Sequence, residues 1–148
     1  MSTAFDDLIS AFVAQLSAGT PVCDHIETDE DSDPLPAGRT ASITVTLGAA
    51  QPQQLGGLAG QPVDWLTEVA LRCFAATNGT SARPAASALA AAVYARLAGT
   101  PGLGLDPAKG VFIGEPRIEW ASQRTETRLA STTLTYSVSH RTTSATLD

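Results

Sequence analysis

One segment near the end of the chain alternates apolar and polar side chains at every position. Across 129–141, Thr132, Leu134, Tyr136 and Val138 alternate with serines and threonines. Because successive side chains of a β-strand point to opposite faces, this period of two predicts a strand with one buried and one polar face. Its β-branched residues favour the same conformation. The segment is therefore the plainest strand in the chain.

Other segments carry weaker forms of the same pattern. Four further strands are predicted, at 22–26, 40–47, 63–74 and 111–123. The last of these is interrupted near Gly114 and Pro116, where we expect a bulge or an edge position. A polar turn over 124–128 joins this strand to 129–141 and predicts a C-terminal β-hairpin.

Two segments have the periodicity of amphipathic helices. From 3 to 18 the apolar residues form one stripe, with Thr3 as N-cap and Gly19 after the end. From 82 to 98 the sequence is rich in alanine, the best helix former. Its predicted core stripe consists of Ala86, Leu89, Val93, Tyr94 and Leu97.

The order of elements is α-β-β-β-α-β-β, which predicts an α+β fold. We expect an antiparallel or mixed sheet of five strands with two helices on one face, forming a two-layer sandwich. The opposite sheet face should be lined by polar side chains. Residues 1–148 are expected to form one domain, with mobile loops at about 27–38 and 48–62 and a frayed tail after 142.

The net charge of −6 has one local source. Six of the 15 acidic residues lie within 24–33, and the remaining nine balance the nine basic residues. The chain therefore has no general attraction to nucleic-acid phosphates. No apolar run is long enough to cross a membrane, and the acidic N-terminus does not resemble a secretory signal. We expect the protein to be in the cytosol of the cell that makes it.

The motifs of common enzymes are missing from the sequence. There is no nucleophile elbow, zinc-protease motif or phosphate-binding loop. His25 and His140 lie far apart, each in a predicted strand, where structural roles are more common than catalytic ones. Cys23 and Cys73 are expected to be buried thiols. We therefore predict no catalytic residue, no cofactor and no enzymatic activity.

A small calcium- or ligand-binding module is an alternative of another class. Asp29, Asp31 and Asp33 have the spacing of a calcium loop. However, the sixth position is Pro34, where the loop needs glycine, and the twelfth is Thr40, where it needs a bidentate glutamate. We accordingly predict no metal site.

Charged and apolar residues in loops and in the hairpin are candidates for protein contacts. An acidic run in the first loop could meet arginines of a neighbouring copy, with apolar contacts supplying affinity. The candidate interface residues are Asp29, Glu30, Asp31, Asp33, Leu55, Leu58, Arg117, Trp120, Arg124, Arg128 and Arg141.

Three sequence features together resemble a known family. The chain opens with an amphipathic helix containing Phe5-Asp6-Asp7-Leu8-Ile9. The tryptophan-containing strand at 64–71 precedes the second helix, and the closing strand carries Leu134-Thr135-Tyr136-Ser137-Val138. In this order of elements the chain resembles the tail-terminator, or tail-completion, proteins of long-tailed bacteriophages.

The resemblance implies a structural virion protein. Such a protein forms a homohexameric ring at the head-proximal end of the tail tube and stops tube polymerisation. Its partners would be other copies of itself, the tail-tube protein and a head-completion or neck protein. A neck or head-closure protein of the same virion is the alternative within this class.

Overall fold

The computed structural model describes residues 3–28, 35, 38–53, 62–78, 80–124, 128–142 and 147. Two helices and six strands occur within these ranges. The elements are α1 (Ala4–Ser17), β1 (Ile26–Glu27), β2 (Ala41–Pro52), β3 (Val63–Thr77), α2 (Arg83–Ala98), β4 (Phe112–Ile113), β5 (Arg117–Arg124) and β6 (Arg128–Thr142).

The described strands form one mixed sheet in the order β1-β2-β3-β6, with β4 and β5 both paired to the outer edge of β6. Only β1 and β2 are parallel, and the other pairs are antiparallel. The predicted α+β class is confirmed, but the sheet has six strands rather than five. The difference arises at 114–116, where the predicted strand at 111–123 divides into β4 and β5.

Gly114 and Pro116 explain this division. Proline has no backbone N–H to donate to a ladder, and glycine weakens strand interiors. The register confirms the predicted irregularity. From the Ile113–Val138 pair to the Arg117–Thr135 pair, the segment that links β4 to β5 contains one residue more than the part of β6 opposite it. The β5–β6 hairpin is confirmed by the pairs that follow.

Other strand limits differ from the prediction. The strand predicted at 22–26 is reduced to Ile26 and Glu27. Residues 48–52, predicted to begin a loop, instead continue β2 as far as Pro52. A register shift between Leu47 and Ala50 accommodates Gly48, so a bulge rather than a loop absorbs the irregular sequence.

Both helices pack on the same face of the sheet. α1 lies against β2, and α2 lies against β3 and β6. The core contains Phe12 and Leu16 from α1 and Val93 and Leu97 from α2. On β6, the predicted inward-facing residues are buried: Thr132, Leu134, Tyr136 and Val138. Tyr94 was predicted to join the core but is 40% exposed, because the buried stripe of α2 runs through Ala90, Val93 and Leu97 and Tyr94 lies at its margin.

The two helices also meet through a side chain. Arg96 of α2 donates hydrogen bonds to the carbonyl oxygens of Gln15, Ala18 and Thr20 at 2.9, 2.7 and 2.7 Å. The last carbonyls of a helix lack partners within that helix, and a cation there also suits the helix dipole. At the opposite end of α1, Thr3 and Asp6 form a capping box, which confirms the predicted N-cap. Both ends of α1 are thus satisfied.

Replacing Leu134 by alanine tests the assignment of faces on β6. Leu134 is 1% exposed, so the substitution should lower the free energy of unfolding by about 2–5 kcal/mol. Ser137 is exposed on the same strand, and Ser137→Ala is the control, expected to change stability little. Urea denaturation measures both. Equal midpoints for the two variants would show that the faces are assigned wrongly.

Candidate interaction surface

The outer strand of the sheet, β5, exposes two large apolar side chains. Ile118 and Trp120 pair with Leu134 and Thr132 of β6, so they lie on the face that carries the helices. They are nevertheless 40% and 56% exposed. Sequence reasoning selected Trp120 but missed Ile118. Strand alternation could have identified it, because Ile118 lies two residues before Trp120 and shares its face.

A groove separates β5 from α2. Its volume is about 430 Å³, and its walls are mainly apolar. Ala90, Ala91 and Tyr94 line the helix side, and Ile118 and Trp120 line the strand side. The small alanine side chains of α2 leave this space open. The groove is therefore a direct consequence of the alanine-rich helix sequence.

One hydrogen bond fixes the end of this groove. The hydroxyl of Tyr94 donates to the carboxylate of Glu115 at 2.8 Å, linking α2 to the segment between β4 and β5. The same contact raises the pKa of Tyr94, because the neighbouring carboxylate disfavours a phenolate. Tyr94 therefore bounds the groove as a neutral hydrogen-bond donor.

The predicted interface arginines occupy different parts of the sheet. Arg141 pairs with Asp64 at 2.7 Å, which raises the pKa of the guanidinium and lowers that of the carboxyl. Arg117 lies 3.2 Å from Glu119 on the same strand. Arg128 is exposed at the start of β6, and its backbone pairs with that of Arg124. Arg117 and Arg141 thus already have acidic partners within the chain.

The remaining candidates lie outside the described residues. These are Asp29, Glu30, Asp31, Asp33, Leu55 and Leu58. The calcium alternative depends on the same acidic run, so it also concerns residues outside the described ranges. Their predicted contacts stay predictions.

The sheet face opposite the helices is polar, as the alternation predicted. Thr133 and Thr135 of β6 lie on this face, next to Arg72 and Ala70 of β3. Arg117 and Glu119 of β5 continue it to the sheet edge. Both described helices pack on the other side. The molecule therefore presents a polar sheet face and an apolar edge groove as separate surfaces.

His140 belongs to a packed cluster beneath the start of α1. It is 3% exposed, and its Nε2 lies 2.7 Å from the hydroxyl of Thr67. The ring of Phe5 packs edge-on against His140 and Trp65 at centroid distances of 4.9 and 5.6 Å. Trp65 donates to the hydroxyl of Thr142 at 2.9 Å. His140 is thus packed in the core on β6, within the strand that the sequence predicted.

The other histidine is placed differently from the prediction. His25 precedes β1 instead of lying within a strand, and its Nε2 is 3.7 Å from the carboxylate of Glu27. It is separated from His140, which lies on β6. No group of three or more metal-binding side chains occurs among the described residues.

The two cysteines are buried free thiols, as predicted. Burial raises the pKa of Cys73 to about 12, and Cys23 nearby adds to the shift. A thiol with so high a pKa is protonated at neutral pH and is a poor nucleophile. Cys73 therefore acts as a small apolar core residue.

Within the described residues, no helix has the length and apolar character needed to cross a bilayer.

Comparisons with known proteins identify the fold through structure alone. No protein-family model matches the sequence, and no curated protein is significantly similar to it in sequence. Among solved structures, the fold is similar to the sheath/tube terminator of PVC, an extracellular contractile injection system, in its extended state. The TM-score is 0.53 at 14% sequence identity.

This similarity extends over nearly all of the chain. It covers 99% of the present sequence and 60% of the terminator chain, so this chain spans less than two thirds of the length of its structural neighbour. The resemblance to terminator proteins noted in the sequence is confirmed at the level of the fold.

The buried histidine predicts a pH-dependent stability. Burial lowers the pKa of His140 below 6.5, so its stabilising contribution is complete above that pH. As pH falls below 6.5, His140 becomes protonated in the unfolded chain before it does in the folded chain. Protonation therefore favours the unfolded state, and the free energy of unfolding decreases. His140→Gln should flatten this loss below pH 6.5.

Urea midpoints measured at several pH values test this expectation. His25→Gln is the matched control and should keep the acid-induced loss. An unchanged pH profile in His140→Gln would show that other groups cause the acid sensitivity.

Proposed function

We propose that this protein is a terminator subunit, a structural protein that closes the end of a phage tail tube or of a related injection tube. The observation that carries the proposal is the similarity of almost the whole chain to a sheath/tube terminator. At this level of identity the similarity concerns the fold. The functional step therefore depends on whether the surfaces of this chain suit such a task.

The distribution of surfaces supports the proposal. A terminator must contact its neighbours in the ring, the tube below and a further component above. The chain offers an apolar groove beside β5, a polar sheet face and the charged Arg117–Glu119 pair on the edge strand β5. These surfaces differ in chemistry and point in different directions, so one subunit can bind distinct partners at the same time.

The finer form of the proposal is a homohexameric ring at the head-proximal end of a virion tail. Rings form when one surface of a subunit binds a different surface of the next and the rotation closes. The ring would dock on the last layer of tail-tube protein and present its other side to a head-completion or neck protein. Its role would be structural, with no cofactor and no catalytic step.

A tube-capping experiment tests this function. Tube protein encoded alongside this chain is polymerised with and without it, and tube lengths and ends are recorded by negative-stain electron microscopy. We expect shorter tubes with one end carrying extra density. A tube-length distribution unchanged by a molar excess of the protein would contradict the proposal.

Neutralising the acidic run tests its predicted contact role. The triple variant Asp29→Asn, Glu30→Gln and Asp31→Asn should fold with an unchanged thermal midpoint, because the sequence predicts a loop there and charges in such a loop are expected to contribute little to stability. Assembly into rings, measured by native mass spectrometry at low salt, should weaken because charge complementarity guides association.

The control is Asp24→Asn, which removes an exposed acid just before the run and should assemble normally. Normal assembly of the triple variant would remove the acidic run from the set of interface residues.

A further inference from the structure

The sheet has two edges whose backbone groups are incompletely paired. On one side, β5 is eight residues long and pairs only with β6 among the described strands. On the other side, β1 pairs only with Ile43 and Thr44 of β2. Beyond Thr44, residues 45–52 of β2 have no described strand on their outer side. Unpaired strand edges are templates for another strand.

The two free edges match in length and chemistry. The free part of β2 has the same number of residues as β5. Residues 45–52 contain no charged side chain. Pairing this segment with β5 would therefore bring no like charge close to Arg117 or Glu119. The register shift after Leu47 bends β2, and such a bend favours a curved joint over a flat, open-ended stack.

The helix layer makes these edges complementary in a second way. α2 covers β3 and β6, and Ile118 and Trp120 of β5 lie beyond it with much of their surface exposed. α1 lies over β2 at the opposite side of the sheet. A second copy that joins through its β2 would therefore place its own α1 beside the groove, over the apolar side chains that α2 leaves uncovered.

We propose that β5 of one copy pairs with residues 45–52 of β2 in a second copy, so that one sheet continues from subunit to subunit. The α1 helix of the second copy then packs on Ile118 and Trp120. Two different surfaces meet in this contact, as a closed ring requires. The inference rests on the proposed ring-forming function and specifies the joint between neighbours.

Substitution of Trp120 tests the joint. Trp120→Lys places a charge in the groove, and because Trp120 is 56% exposed the monomer should still fold. In native mass spectrometry of the full chain over a concentration series, we expect oligomers of the unmodified protein and at least a tenfold loss in the variant. Circular dichroism checks that both are folded.

Phe112→Lys is the matched control. Phe112 is an exposed aromatic residue of β4, on the same sheet border, but it pairs with Ser139 and so lies on the polar face. It should assemble like the unmodified chain. Equal assembly of Trp120→Lys and the unmodified chain, or a chain that stays monomeric at every concentration, would overturn the joint.

Photo-crosslinking identifies what covers the groove. With p-benzoylphenylalanine at position 120, the adducts mapped by mass spectrometry should lie in α1 or β2 of a second copy. Adducts confined to other segments, or formed only with tube protein, would overturn the joint by assigning β5 to another contact. Rings with the expected adducts that do not cap tubes would leave the joint intact and refute the terminator function instead.

Discussion

The architecture depends on the pairing of β3 with β6. These strands have 15 residues each and pair without interruption from Val63–Thr142 to Thr77–Arg128. Because side chains alternate along both strands, this register decides at once which residues of the two strands meet the helices. A slip of β6 by one residue would carry Leu134 to the polar face while Leu71 of β3 stayed in the core.

The helix layer is narrower than the sheet it covers. The two helices cover β2, β3 and β6. α2 covers a narrow area because many of its side chains are alanines. The outermost strand is consequently paired through its backbone but uncovered on its apolar side. In a monomer this arrangement exposes a tryptophan and an isoleucine together, a pattern typical of protein contact sites.

Several polar groups lie in the interior of the fold. His140 bonds to Thr67 and is enclosed by Phe5, and Cys73 has a pKa too high for a reactive thiol. Phe5 thereby holds the start of α1 against one end of the β3–β6 ladder. At the C-terminal end of α1, Arg96 binds the backbone carbonyls.

The sequence by itself determined the two helices, the strand faces and the break at Gly114 and Pro116, because periodicity and backbone chemistry are local properties. Apart from the β5–β6 hairpin, it did not determine which strands are neighbours. The parallel β1–β2 pair, the bulge that extends β2 and the outward position of Tyr94 depend on contacts between distant segments. Trp120 could be selected from the sequence alone. Its groove with Ile118 and α2 could not, because the groove forms only in the assembled sheet, where the helices leave the edge strand uncovered.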